Sequence, residues 1–419
     1  MLVATSKRLL IGLIFCCFSW LSITVVSAEP IEPTSRHIII ELSQGKQIES
    51  VLHRYGSTLE AKIWNAPIYR ITIPTNFTVE RFVRRLQRDK DIKRAWLDIP
   101  RFQLSPRRNG GSDTSSERPV IFREGKDLYE RQRALTLLNV QQAHRFSRGT
   151  GALVAIIDTG CDINHPLLRG RISRFSYDFV DLDMIPDEVP SSPENKYSIY
   201  GHGTFVTGII ALAAPEAELL VLRAFDDSGW ASDFEVASAL RYASDHGAAI
   251  INLSFGAGER GELVAEALLY AQARGTLIVV AAGNGNIELP VPFPAAEPQV
   301  LAVAATDLND AKARFSNFGR HISYSAPGTN LISLYPKGQF AGWSGTSFAA
   351  PWVSAALALL FADEPDLPLR AVEVLRASAI NISRRNPTFL GKLGTGRISF
   401  GNALRRLRHY EFYRTKFLW

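Results

Sequence analysis

Apolar runs too short for helices recur between stretches of helical periodicity: Leu153 to Ile157, Leu219 to Leu222, Ile250 to Leu253 and Leu277 to Ala282. A strand that is apolar on both faces must be covered on both, so the alternation predicts an α/β domain built on a parallel sheet. The intervening helices carry their own punctuation. Ser232 with Glu235 forms a capping box, and Gly247 and Gly275 stand where helix C-caps belong. Ser347 to Phe361 reads as one very apolar helix. A chain of 419 residues that is 46% apolar and 21% charged can bury one large core or two smaller ones, which excludes a wholly disordered or collagen-like molecule.

A smaller unit precedes this domain. Within residues 36–105, His37 to Leu42, Leu59 to Trp64, Ile68 to Ile73 and Ile92 to Leu97 read as strands. One helix runs through Ile48, Val51 and Leu52 to a stop at Gly56; a second follows Thr78, with Val79, Phe82, Val83 and Leu86 on one face. The order βαββαβ is ferredoxin-like, an arrangement that implies no function by itself. From 106 to 124 the chain turns polar, which predicts a protease-sensitive linker before the large domain, residues 125–419.

At the N-terminus, Lys7 and Arg8 precede an apolar run from Leu9 to Val26, and Val26-Ser27-Ala28 offers a small-residue cleavage site. Residues 1–28 therefore read as an export signal, or as a membrane anchor if they stay attached. Cys16 and Cys17 lie inside that run; without it Cys161 is alone, no intrachain disulfide can form, and the thiol reads as buried and structural. The net charge of +6 divides as +2 over residues 1–28, +5 over 29–125 and −1 over the remainder. A nearly neutral main domain argues against a nucleic-acid partner. The basic, aromatic end from Arg405 to Trp419 reads as a surface segment packed on the domain.

Ligands of open parallel sheets gather at the carboxyl ends of the strands. Asp158-Thr159-Gly160 follows the first apolar run and Gly283-Asn284-Gly285 the last, while Gly201-His202-Gly203-Thr204 and Gly345-Thr346-Ser347 open two apolar helices. Each alone has an ordinary explanation: an Asp or Ser caps a helix, an Asn between glycines makes a turn, a histidine packs in a core. Together they supply an acid, an imidazole, a hydroxyl and an amide. Ser347 is a poor nucleophile without a base, and His202 is the candidate; Asp158 would fix the imidazole tautomer. The Asn284 amide and the Ser347 backbone N–H could meet a developing oxyanion.

Asp158-Thr159-Gly160, His202-Gly203-Thr204 and Gly345-Thr346-Ser347-Phe348-Ala349-Ala350-Pro351, in that order, resemble the three signatures of subtilisin-like serine proteases. Ala281-Ala282-Gly283-Asn284 resembles the family's oxyanion-hole segment and Asn252-Leu253-Ser254-Phe255-Gly256 its substrate-binding strand. The likeness spans about residues 130–400. It implies peptide-bond hydrolysis through an acyl-enzyme on Ser347, a polypeptide substrate held between Ser254-Phe255-Gly256 and Asp227-Ser228-Gly229, and a monomer that needs no cofactor. By a weaker likeness of pattern, residues 36–105 resemble the family's prodomain, an intramolecular inhibitor and folding aid whose end, Arg101 to Pro106, would lie in the cleft. Val291-Pro292-Phe293-Pro294 falls where the family builds part of its specificity pocket.

Some positions depart from the family's pattern. Phe205 stands where many relatives carry a second His, and Phe348 where some carry an oxidisable Met. Between His202 and Leu219 the chain is too short for the usual calcium loop. An acidic stretch with Asp178, Asp181, Asp183, Asp187, Glu188 and Glu194 offers another candidate calcium loop, although a solvated loop is the simpler reading. The alternatives to a general endopeptidase are a peptide-binding pseudoprotease and an anchored maturation protease of narrow specificity.

Overall fold

The computed structural model describes residues 36–104, 118–190, 199–288, 293–363 and 368–416. The signal or anchor, most of the linker, Glu194, Val291-Pro292 and the last three residues lie outside the described residues. No helix of the described residues is long and apolar enough to cross a membrane.

The apolar runs form the centre of a parallel sheet. Its seven strands lie in the order Ile322–Pro327, Leu301–Thr306, Leu277–Ala281, Ile250–Leu253, Leu153–Asp158, Glu218–Arg223 and Tyr177–Asp178. Every adjacent pair is parallel. Because successive strand residues point to opposite faces, one sequence run feeds two cores. Val154, Ile156, Val221 and Val279 pack with helices His202–Ala213 and Ala350–Asp363. Ala155, Ile157, Leu222 and Val280 pack with helices Asp233–Asp245 and Glu262–Ala273. The capping box at Ser232 and Glu235 is present as the sequence predicts.

The last apolar run differs from expectation. Thr346–Phe348 form a 3-10 turn, and the α-helix begins only at Ala350. Pro351 has no N–H to give to a preceding turn, so it fits the first turn of the new helix and not the interior of a longer one.

Residues 36–103 build a four-stranded antiparallel sheet in the order Leu59–Lys62, Ile68–Thr72, His37–Leu42, Ile92–Leu97, with helices Ile48–Tyr55 and Val79–Leu86. Gly56, left-handed at φ 67°, ends the first helix, and the Thr78 side chain caps the second. Ile38, Ile40, Phe82 and Leu86 make this unit's own core, whereas Ile39, Ile63 and Ile68 belong to the core shared with the large domain. The unit therefore uses both sheet faces. A further strand, Pro100–Gln103, leaves it and pairs antiparallel with Trp230–Ser232.

The polar stretch does not run as linker to residue 124. Val120–Phe122 is a strand on Gln339–Trp343, which also pairs with Leu331–Tyr335. At the other end, Arg405 to Arg408 lie in helix Phe400–Lys416, anchored in the main core by Phe400, Ala403, Leu404 and Leu407.

Candidate active site

Asp158 is the last residue of the central strand Leu153–Asp158, and His202 the first of helix His202–Ala213. The two elements can approach because Gly203 has no side chain: a Cβ there would stand 2.0 Å from the Gly160 carbonyl oxygen. His202 Nδ1 then lies 2.7 Å from Asp158 Oδ1, with both residues buried. The Thr159 N–H, 2.9 Å away, donates to the same oxygen. The imidazole packs against Trp343, edge-on at 5.8 Å, and Phe348 at 5.3 Å. Phe205 fills the space behind with its ring 4.4 Å from Phe348.

Ser347 sits in the 3-10 turn and is 5% exposed. Its hydroxyl donates to the Ser254 carbonyl at 2.9 Å. The hydrogen is thus held on the segment that follows strand Ile250–Leu253. Asn284 follows strand Leu277–Ala281, and its Oδ1 accepts from the Thr346 N–H at 2.9 Å and the Thr346 hydroxyl at 2.8 Å. With the carbonyl end committed, the amide NH2 is left to serve as a donor. Asn317 holds the loop itself: its Oδ1 accepts from Gly285 N and Ile287 N, and its Nδ2 donates to the Ala282 carbonyl.

Among the expected peptide-binding residues, Phe255 is buried and packs edge-on against Phe102 at 5.6 Å, while Gly256 pairs with Gln103. Ser228 and Gly229 are not on a strand. Gly229, at φ 80°, closes a turn by donating to the Asp226 carbonyl, the exposed Ser228 bonds to Asp226 and Asp227, and the strand starts at Trp230. Only the Gly229 carbonyl faces the incoming segment, accepting from Leu104 N at 3.3 Å. Phe293, within the expected specificity-pocket segment, is buried with its ring 5.9 Å from Phe102.

Only part of the acidic stretch is a solvated loop, with Asp181 and Asp183 exposed. Asp178 is buried and paired with Arg223, which also meets Asp181 at 2.6 Å. Glu188 is only 8% exposed, and burial pushes its carboxyl up to about 7. Among the described residues no group of three or more His, Cys, Asp or Glu is arranged to hold a metal ion. Cys161 is free and buried, and desolvation raises its thiol well above the usual value, so it is a poor nucleophile. Thr159 and Thr346 stand inside the motifs, whereas nothing in the sequence singles out Asn317 or marks Glu188, one of the candidate calcium ligands, as buried.

The chain has relatives among known proteins. A family model described as the Subtilase family matches residues 149–396. Thermitase of Thermoactinomyces vulgaris is 38% identical over 233 residues, which cover 53% of this chain and 79% of thermitase. A thermophilic serine proteinase of Bacillus sp. strain AK1 is 35% identical over 265 residues, covering 61% and 62%. Among solved structures, fervidolysin of Fervidobacterium pennivorans, a keratinolytic enzyme related to subtilisin, gives a TM-score of 0.68 at 22% identity over 89% of this chain and 61% of its own. The epidermin leader peptide processing serine protease of Staphylococcus aureus gives 0.68 at 20% identity over 88% and 98%. At those identities the two structures speak to the fold alone; the family match and the two sequence relatives carry the kinship, and the chain belongs to the subtilase family of serine proteases.

Proposed function

We propose that this protein is an exported endopeptidase made as a zymogen, with Asp158, His202 and Ser347 as its catalytic residues and residues 36–105 as its intramolecular inhibitor. The observation that carries the reading is the course of residues 100–104. They run as a strand between Trp230–Ser232 and Gly256, with Gln103 N donating to the Gly256 carbonyl at 3.2 Å and Leu104 N to Gly229. An extended peptide held by main-chain bonds on both sides is how a substrate would be gripped without regard to most of its side chains. Phe102, fully buried between Phe255 and Phe293, supplies the side-chain anchor.

Charges add specificity to the docking. Arg94 grips Glu266 with two bonds of 2.6 and 2.7 Å, Arg101 meets Asp233 at 3.0 Å, and Arg70 pairs with Glu235. The basic excess of the leader unit thus has acidic partners on helices Asp233–Asp245 and Glu262–Ala273. The same contacts suit a folding aid, because the parallel sheet joins segments distant in sequence and a docked partner lowers the cost of assembling them.

In the proposed mechanism the Ser347 hydroxyl gives its proton to His202 as it attacks the substrate carbonyl. Asp158 holds the ring and stabilises the imidazolium. The Asn284 amide and the Ser347 N–H take the oxyanion, and His202 returns the proton to the leaving amine; water then repeats the sequence on the acyl-enzyme. Every group comes from the chain, and the working unit is a monomer acting on a polypeptide. The test is the intact mass of the secreted product of wild type and Ser347→Ala, with casein hydrolysis alongside. Wild type should lose its leader before about Glu124 and digest casein, and the variant should do neither; identical N-termini with no cleavage by either would overturn the proposal.

A further inference from the structure

Glu188 has no step in acyl transfer, yet its two carboxyl oxygens are divided between the elements that carry the acid and the base. Oε1 receives the Thr159 hydroxyl at the end of strand Leu153–Asp158. Oε2 receives the Thr204 N–H at 2.9 Å and the Thr204 hydroxyl at 2.6 Å, in the first turn of helix His202–Ala213. The loop that brings Glu188 there is docked as tightly. Cys161 N donates to the Pro186 carbonyl at 2.9 Å, and a Cβ on Gly160 would meet that same oxygen at 2.6 Å.

The Thr159 hydroxyl closes the circuit. It accepts the Gly203 N–H at 2.9 Å and lies 3.3 Å from Asp158 Oδ1 as well as against Glu188. A hydroxyl has one hydrogen and two lone pairs. One lone pair holds Gly203, so the single hydrogen serves either Glu188 or Asp158 and not both.

No lysine or arginine pairs with Glu188 among the described residues. Burial raises its carboxyl to about 7, against the hydrogen bonds from Thr159 and Thr204 and with the charge of Asp158. The other groups that face it are Cys161, Tyr200 and Tyr335, each raised chiefly by burial and so neutral through this range, together with Asp162 and Asp187 near Gly160 and the Asp158–His202 pair.

We propose that Glu188 is a positioning residue for the Asp158–His202 pair, and that the proton on its carboxyl sets where the Thr159 hydrogen points. The inference rests on the serine-protease reading above. With a proton taken from solvent onto Oε1, Glu188 donates to the second lone pair of Thr159, and the Thr159 hydrogen turns to Asp158. That donor draws charge from the carboxylate that must stabilise the imidazolium. When the proton returns to solvent, the Thr159 hydrogen turns to Glu188, Asp158 keeps its charge for His202, and a second anion faces the site. Both changes favour the imidazolium of the transition state, so kcat rises as Glu188 ionises.

The test is the pH dependence of kcat and kcat/KM on a peptide substrate for the processed wild type, Glu188→Gln and Thr159→Ser. The Gln amide mimics the protonated acid at every pH. Its kcat should match wild type near pH 5.5 and fall about fivefold below it near pH 9, the size of one redirected hydrogen bond, with KM within about twofold. Thr159→Ser keeps the hydroxyl and should keep the wild-type profile. The wild-type kcat profile should carry an additional partial inflection of about fivefold that Glu188→Gln lacks. A uniform loss in Glu188→Gln at all pH values, or a wild-type kcat profile with no such inflection, would overturn the inference; the second needs no variant to fold. Fluorophosphonate labelling separates the two layers: wild type that neither labels at Ser347 nor cleaves peptide overturns the protease reading itself. In the Ser347→Ala chain, which needs no activity, Glu188→Gln should raise Tm more near pH 8.5 than near pH 5.5, because a raised carboxyl loses stability as pH climbs through its folded value. Equal shifts would sink the role of the Glu188 proton.

Discussion

Ser347 and Ser254 are joined twice: the Ser347 hydroxyl donates to the Ser254 carbonyl at 2.9 Å, and the Ser254 hydroxyl donates to the Ser347 carbonyl at 2.8 Å. The proposed nucleophile and the segment proposed to grip the peptide are therefore one mechanical unit. The clasp continues inward, since Asn252 Nδ2 donates to Ser254 and Ser354 donates to Asn252 Oδ1. Ser254→Ala leaves the backbone carbonyl in place but strips the buried Asn252 amide of its acceptor. The expected outcome is a loss of about 1–3 kcal/mol in stability and a drop in kcat of about tenfold, read by thermal melting and steady-state kinetics.

Asn284 is aimed by Thr346, so two substitutions should behave differently. Asn284→Ala removes an oxyanion donor and should lower kcat by about 10²–10³ with KM nearly unchanged. Thr346→Ser retains both bonds to Asn284 Oδ1 and should retain most activity. Measuring kcat and KM separately checks both, because a binding defect would appear in KM.

Phe102 is fully buried by its contacts with the large domain. Phe102→Ala deletes that anchor, and core truncations of this kind cost about 3–5 kcal/mol. The leader should then release far more readily, seen as earlier appearance of casein-cleaving activity during processing. Unchanged timing would mean that the ion pairs hold the leader alone.

Asp98 of the leader is buried and faces Glu235 across Arg70, which lies 3.4 Å from Asp98. Burial first, and the charge of Glu235 second, raise the Asp98 carboxyl to about 7. A carboxyl raised on docking favours the docked state most at acidic pH, and that contribution is lost as pH rises through about 7. Leader and large domain should thus co-elute more completely near pH 5.5 than near pH 8.5 after processing. Asp98→Asn, which cannot ionise, should flatten the difference.

The catalytic motifs were legible because each is a local pattern: a polar group at a strand end or a helix start, flanked by the glycines that let backbones meet. The four central strands were legible for a related reason, since burial on both faces leaves an unbroken apolar run. What the sequence hides has a different cause. Val120–Phe122 reads as linker because a three-residue edge strand has too little sequence to show a period. Asp178 and Glu188 belong to a stretch whose composition suits a solvated loop or a calcium site, and only their partners, Arg223 in one case and two threonines in the other, reveal that these two acids are buried.

Sequence alone determined the parallel α/β class, the order acid, imidazole, hydroxyl, and the βαββαβ element order that precedes the large domain, because hydrophobic period and local turn chemistry are written along the chain. Only the tertiary structure decided which groups touch. The clasp between Ser347 and Ser254, the aim of Asn284 by Thr346, the bridge of Glu188 and the burial of Phe102 all join residues remote from one another in the chain. Such contacts are fixed by how helices and sheet pack in three dimensions, and no period in a one-dimensional pattern records them.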